Sequence, residues 1–370
     1  MAKFFNLNHS LLRMDWLALI ATGMLLATGV TFIFSTGSGG ENIALIDQQW
    51  FRQLAFIFAG IPVYIAMTLV DYRWYKDIVG LIYGACIALL IGVLIFGIEI
   101  NNSKSWYDLG FVNFQPAELA KIGLVITLAA YLGDPLRNTR HPRIIIVPLL
   151  LTGFEFILIL KQPDLGTAMI LPCVVMTQLF VSGLPWRVIG FLLLMGVMCV
   201  PLAWKFAKPY QKERILVFLN PDRDPNGASW NAAQSKLAVG SGGLTGKGIG
   251  QGTQNILGFL PTTVAPTDFI FSVIAEEKGF LGSAYLLGLY TLLFGSLART
   301  ALRASDMFGR LIAVGILTML SVHVSINVAM TIGLMPIVGL PLPLVSYGGS
   351  FVVSMMLALG LVQSVHVRRS

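Results

Sequence analysis

The sequence predicts an all-α polytopic membrane protein of about ten transmembrane helices, with one large extracytoplasmic loop between the seventh and the eighth. Three observations carry this reading. Hydrophobic residues make up 56% of the 370-residue chain and charged residues 12%, against roughly 25% charged in a soluble domain. The apolar residues gather into runs near the ~20 residues that carry a helix across a bilayer. One long polar interval, 207–267, separates seven such runs from three more. The chain reads as a single membrane domain, 1–370.

The ten crossings fall at 15–35, 51–70, 77–97, 115–132, 144–160, 164–182, 187–206, 268–297, 311–332 and 342–364. Lys3 and Arg13 precede the first, and no small-residue cleavage site follows it, which argues against a removed signal peptide. Only Lys161-Gln162-Pro163 separates the fifth from the sixth, so that pair forms a tight hairpin. Lys3, Arg13, Arg73, Lys76, Arg137, Arg140, Arg143, Arg187, Arg299, Arg303, Arg310, Arg368 and Arg369 flank one set of ends. That set is cytoplasmic by the positive-inside rule, which puts both termini inside and 207–267 outside. The net charge of +7 is spread over short loops and forms no nucleic-acid patch. Cys86, Cys173 and Cys199 each sit in an apolar run and read as small packing residues.

Four predicted helix starts on the outer side share a pattern: Gln115-Pro116-Ala117-Glu118, Gln162-Pro163-Asp164, Pro266-Thr267-Asp268 and Leu340-Pro341-Leu342-Pro343. Proline suits a first helical position because its missing N–H had no partner there. Acids suit the positive end of the helix dipole. Ordinary capping accounts for any one of these acids. Several together at membrane depth, where ionisable residues are costly, point to function.

Glu118 and Lys121 are three apart on one helix face, as a bundle-holding pair or as charge near a substrate. Asp268 has the strongest claim to a site, because it stands where a polar loop meets an apolar helix. Glu276 and Glu277 lie deeper and suit structural pairing with Lys278 or another helix. Gly240-Ser241-Gly242-Gly243-Leu244-Thr245-Gly246-Lys247-Gly248 fails the nucleotide-loop spacing, with Ser241 at the first glycine position and Gly248 at the hydroxyl position. Its amides and Lys247 could still meet a pyrophosphate, or it is a flexible loop. Ser346 in Ser346-Tyr347-Gly348-Gly349-Ser350 either lines a site or serves close helix packing. His9, His141, His323 and His366 have no metal-ligand spacing, and no metal site is predicted.

These stretches resemble the SEDS family of bacterial cell-wall glycosyltransferases, the shape, elongation, division and sporulation proteins. The resemblance rests on Trp106-Tyr107-Asp108-Leu109-Gly110, Phe114-Gln115-Pro116-Ala117-Glu118-Leu119-Ala120-Lys121, Gln162-Pro163-Asp164-Leu165-Gly166-Thr167 and Gln234 to Gly243. Gly246-Lys247-Gly248, Thr267-Asp268-Phe269-Ile270-Phe271, Ala275-Glu276-Glu277 and Pro341 to Ser350 follow in the family's order. The run Leu334 to Leu340 is closer to the rod-shape branch than to the division branch. The chain departs from the pattern at Ser105, Gly258 and Thr262-Thr263-Val264-Ala265-Pro266, which weakens any carry-over of basic loop contacts.

The resemblance implies polymerisation of lipid II outside the cytoplasmic membrane. It also implies a class B penicillin-binding protein as partner, beside other membrane proteins of the elongation complex. It makes Asp268 the essential acid and gives importance to Glu118, Lys121 and Asp164. Asp268 would act as general base, with Lys121, Lys236, Lys247 and the helix N-termini facing the pyrophosphate. The resemblance fixes no cofactor, and a divalent cation bridging the pyrophosphate and a carboxylate is the candidate. A lipid II flippase and a non-catalytic scaffold are the alternatives.

Overall fold

Among the described residues, ten helices of 16 residues or more dominate. The computed structural model describes residues 13–37, 47–100, 103–110, 112–139, 141–220, 228–260 and 264–369. Lys3, His9, Arg140, Arg223 and the Thr262-Thr263 pair lie outside the described residues. The helices are α1 (Trp16–Gly37), α2 (Gln49–Leu69), α3 (Val79–Phe96), α4 (Pro116–Leu132), α5 (Ile146–Lys161), α6 (Leu165–Val181) and α7 (Trp186–Phe206). Two loop helices follow, α8 (Pro209–Leu219) and α9 (Ala228–Ser241), and then α10 (Ile270–Leu302), α11 (Met307–Thr331) and α12 (Gly349–Val367). Among the described residues, seven segments are long and apolar enough to cross a membrane, and α6 and most of α7 are shorter apolar helices. The chain is a multi-pass membrane protein.

The centre is built from α4, α11 and α12, apolar around their whole circumference and buried accordingly. α2 lies along α12, and α10 packs between α1 and α11. One departure from the expected all-helical chain is a three-stranded antiparallel sheet, β1 (Ile98–Ile100), β2 (Ser103–Asp108) and β3 (Asn113–Phe114), between α3 and α4. Its strands are too short to show a period in the sequence. Tyr107 anchors it by donating its hydroxyl to the Leu89 carbonyl at 3.0 Å. Ser103 Oγ donates to Gln162 O at 2.5 Å, tying the sheet to the 161–164 hairpin.

The last apolar helix begins at Gly349, not at the expected 342. Proline disfavours helical backbone in the residue before it, so Pro341 and Pro343 hold Leu340 and Leu342 out of a helix, and Leu344 takes φ 66. The segment is buried irregular backbone: Leu340, Leu342, Leu344, Val345 and Ser346 are at most 1% exposed. Such backbone survives at membrane depth only where protein groups satisfy it. Tyr290 donates to Pro343 O at 2.5 Å. Gln53 donates to Ser346 O at 3.2 Å and accepts from Gly348 N at 3.1 Å.

α10 runs for 33 residues but is broken at Gly279, whose φ of 63 and ψ of −156 no L side chain adopts without strain. The glycine-rich loop fills that break. Lys247 N and Gly248 N donate to Glu276 O and Glu277 O at 3.0 Å each. Phe280 N and Leu281 N donate to Gly243 O and Leu244 O at 2.9 and 3.1 Å. The loop thereby caps two helix ends whose backbone groups would otherwise lack partners. A Cβ at Gly242 would lie 1.9 Å from Ala275 O, whereas nothing lies within 4 Å of one at Gly240.

Gly242→Ala is therefore expected to lower the thermal unfolding midpoint of the detergent-purified chain by several degrees and to cut the monodisperse yield. Gly240→Ala, in the adjacent helix, should match the native chain in both, and equal behaviour of the two variants would contradict the plug.

Candidate active site

Asp268 stands in the turn 264–269, before the Phe269 N-cap of α10. Three contacts hold this turn against the irregular 340–347 segment. Asn327 Nδ2 donates to both Asp268 O, at 2.9 Å, and Leu340 O, at 2.7 Å. Ser346 Oγ donates to Thr267 O and accepts from Leu342 N at 2.7 Å. Tyr347 N donates to Pro266 O at 2.9 Å. The carboxylate faces Gly339, where an added Cβ would stand 3.3 Å from Asp268 Oδ2.

Burial pushes the Asp268 carboxyl up to about 6. The Arg214 charge and the Thr267 hydroxyl oppose the rise, and the Asp164 carboxylate adds to it. Desolvation outweighs the lowering effects of Arg214 and Thr267.

Arg214 of α8 and Lys236 of α9 line a cavity of about 80 Å³ with Gly333 and Met335. Ser235 locks α9 in place: its Oγ lies 2.6 Å from Ser272 Oγ and donates to Thr331 O at 2.8 Å. The Lys236 stem rests on Gly333, where a Cβ would meet Cδ at 2.5 Å. Arg214, which its sequence surroundings did not single out, is the cation whose field reaches Asp268.

The remaining predicted residues divide into two groups. Asp164 caps α6, accepting from Thr167 N at 3.0 Å, and receives Gln115 Nε2 at 2.9 Å. Behind it, Lys121 Nζ lies 2.9 Å from Glu118 Oε1 and 2.8 Å from His323 Nε2, with all three side chains buried. His323 is therefore a polar partner rather than simple packing. Glu155 was not picked out from sequence, although a lone acid inside an apolar run is a recognisable signal. It is fully buried, with no hydrogen-bond partner for either carboxyl oxygen among the described residues.

The second group belongs to the plug. Glu276 Oε1 accepts from Lys247 Nζ at 2.7 Å, Thr253 Oγ1 at 3.0 Å and Gln254 N at 3.1 Å. Glu277 Oε1 accepts from Ser35 Oγ at 2.5 Å. Lys247 is thus the partner of a structural carboxylate, and Lys278 makes no ion pair among the described residues. Asp268 and Asp164 are the carboxylates that a cation on a pyrophosphate could share. No group of three His, Cys, Asp or Glu among the described residues is placed to hold an ion by itself.

A family model described as a cell cycle protein, covering FtsW, RodA and SpoVE, matches residues 10–370. The chain belongs to the FtsW, RodA and SpoVE family. It is 39% identical over 338 residues to the peptidoglycan glycosyltransferase MrdB of Escherichia coli, covering 90% of this chain and 88% of that protein. It is 36% identical to stage V sporulation protein E of Bacillus subtilis, covering 95% and 96% of the two. Among solved structures, a chain described in a study of polymerization and crosslinking by a peptidoglycan synthase complex superposes with a TM-score of 0.79. That chain is 35% identical, with 96% of this chain and 98% of that one covered. Thermus thermophilus RodA gives 0.70 at 32% identity, covering 96% and 97%. The motifs that hold Gln115, Asp164, Asp268 and Ser346 meet at one end of α4, α6, α10 and α12, whereas Gly246-Lys247-Gly248 and Glu276-Glu277 meet in the separate plug.

If the unprotonated Asp268 carboxylate does the chemistry, kcat/KM for the family reaction should be flat above a pH of about 6 and fall about tenfold per unit below it. A profile flat from pH 7 to 4.5 would remove Asp268 as the titrating base.

Proposed function

We propose that the chain is a peptidoglycan glycosyltransferase that polymerises lipid II into glycan strands at the outer face of the cytoplasmic membrane during wall elongation. The observation that carries this is the half-buried Asp268, at the apolar start of α10 and in the field of Arg214, which lines a cavity with Lys236. A lipid-linked sugar needs that neighbourhood, with a greasy wall for its tail and cations for its pyrophosphate. The relative MrdB bears the name of this activity.

In the proposed step, Asp268 takes the proton from the acceptor sugar's 4-hydroxyl as that oxygen bonds to the donor's anomeric carbon. The bond from that carbon to the pyrophosphate oxygen breaks on the opposite face, the centre inverts and the polyprenyl pyrophosphate leaves. A positioned base contributes ~10²–10⁴-fold. Lys236 and Arg214 offset the charge growing on the leaving group in a site partly shielded from water. Glu118, Lys121 and His323 lie behind the reacting groups and hold α4 to α11. Asp268 or Asp164 would hold any divalent cation, which would offset charge on the leaving pyrophosphate.

Ten crossings, cytoplasmic termini and an outer 207–267 loop complete the proposal, supported by the ten long helices and the distribution of Lys and Arg. A class B penicillin-binding protein is the proposed partner, in keeping with the synthase complex that the fold resembles. Supplied only to the vesicle face that exposes the 207–267 loop, lipid II should yield glycan polymer on a gel, with more formed when the transpeptidase is present. Movement of labelled lipid II across the bilayer with no polymer at any time would favour the flippase and reject this reading.

A further inference from the structure

A groove lies between α1 and α10, away from Asp268, with a volume of about 630 Å³. Met24 and Ala27 of α1 and Leu281 and Tyr285 of α10 form its walls, and Lys278 and Thr245 stand at one end. Met24, Leu281 and Tyr285 are exposed, so the groove opens on the outer surface of the bundle.

The break at Gly279 sets its depth. Residues 280–302 form the second part of α10, about 34 Å long at 1.5 Å per residue, close to the ~30 Å hydrocarbon core of a bilayer. Lys278, just before the break, is then at the level where lipid headgroups begin, and the apolar walls descend from it into the hydrocarbon. Thr28 and Thr31 donate to carbonyls of their own helix, at 2.8 and 2.9 Å, and present methyl groups to the groove. Lys278 is the only charged residue of its lining and makes no ion pair among the described residues. A single exposed ammonium above an apolar slot complements one phosphodiester charge above an acyl chain.

We infer that this groove binds an anionic phospholipid, its phosphate on Lys278 and one acyl chain along α1 and α10. The bound lipid bridges α1 to the first turn after the Gly279 break, next to the loop that plugs it, and so stabilises the plugged form. A lone lysine favours the singly charged phosphodiester over a polyprenyl pyrophosphate, which carries more charge than it can match.

The test is retention of phosphatidylglycerol against phosphatidylcholine by the purified full chain, read by native mass spectrometry and by thermal midpoint in mixed micelles. The native chain should prefer phosphatidylglycerol by about fivefold and gain a higher midpoint from it. Lys278→Gln should bring the preference to unity while keeping the native midpoint in phosphatidylcholine. Ala27→Phe, which fills the groove and leaves the lysine, should lose bound lipid of both kinds. Undiminished phosphatidylglycerol preference in Lys278→Gln, or full retention in Ala27→Phe, would overturn the site. So would displacement of the lipid by a polyprenyl pyrophosphate at equal concentration, or a partner's transmembrane helix shown to occupy the groove.

Discussion

Backbone amides and carbonyls that lie inside a membrane protein without a helix to satisfy them cost several kcal/mol each. The 340–348 segment carries that liability, and the Asn327 amide meets its most consequential part. One Nδ2 group donates to Leu340 O and to Asp268 O, so the irregular segment and the acid's turn share a single anchor. Ser346 repeats the arrangement from the other side by joining Leu342 N to Thr267 O. The position of the Asp268 carboxylate is thus a consequence of backbone satisfaction in a neighbouring segment, and that segment is non-helical because two prolines prevent a helix there.

Charge in this bundle gathers in distinct groups. Arg214 and Lys236 line the cavity, Asp268 lies in the field of Arg214, Asp164 pairs with Gln115, and Glu118, Lys121 and His323 form a buried cluster between α4 and α11. The buried pair is weak evidence for net stability, since desolvation cancels much of the attraction, but removing one partner of such a pair costs ~3–5 kcal/mol. Glu118 and Lys121 are better understood as fixing how α4 meets α11 and the segment above it than as groups reaching the substrate. The plug is a second, separate charge centre. It uses Lys247 on Glu276 to keep the glycine loop seated where α10 breaks.

Much of the fold was legible in the sequence because membrane helices are announced by composition. Predicted and observed helices agree closely at α4, α5, α6 and α7, where proline or a polar hairpin marks each start. The misplaced start of the last helix came from treating Pro341 as a first helical residue, when two prolines two apart with Leu344 at positive φ build irregular backbone instead. The sheet at 98–114 was hidden because its strands are only two to six residues long. At the site, Asp268 and Asp164 were visible as acids at apolar boundaries, and Lys236 as one of two loop lysines offered to the pyrophosphate. Arg214 looked like any loop cation, and the role of Asn327 depends on contacts between residues 59 and 13 positions apart, which no local pattern carries. The glycine run was ambiguous for a different reason: glycines that admit a phosphate and glycines that admit a neighbouring helix read alike.

In the proposed reaction this frame presents one carboxylate to a sugar hydroxyl, and that is directly measurable. Purified Asp268→Asn, which keeps the volume and the backbone contacts to Asn327, should retain the native thermal midpoint and form no glycan polymer from lipid II. Polymer at near-native rate from that variant would contradict the account.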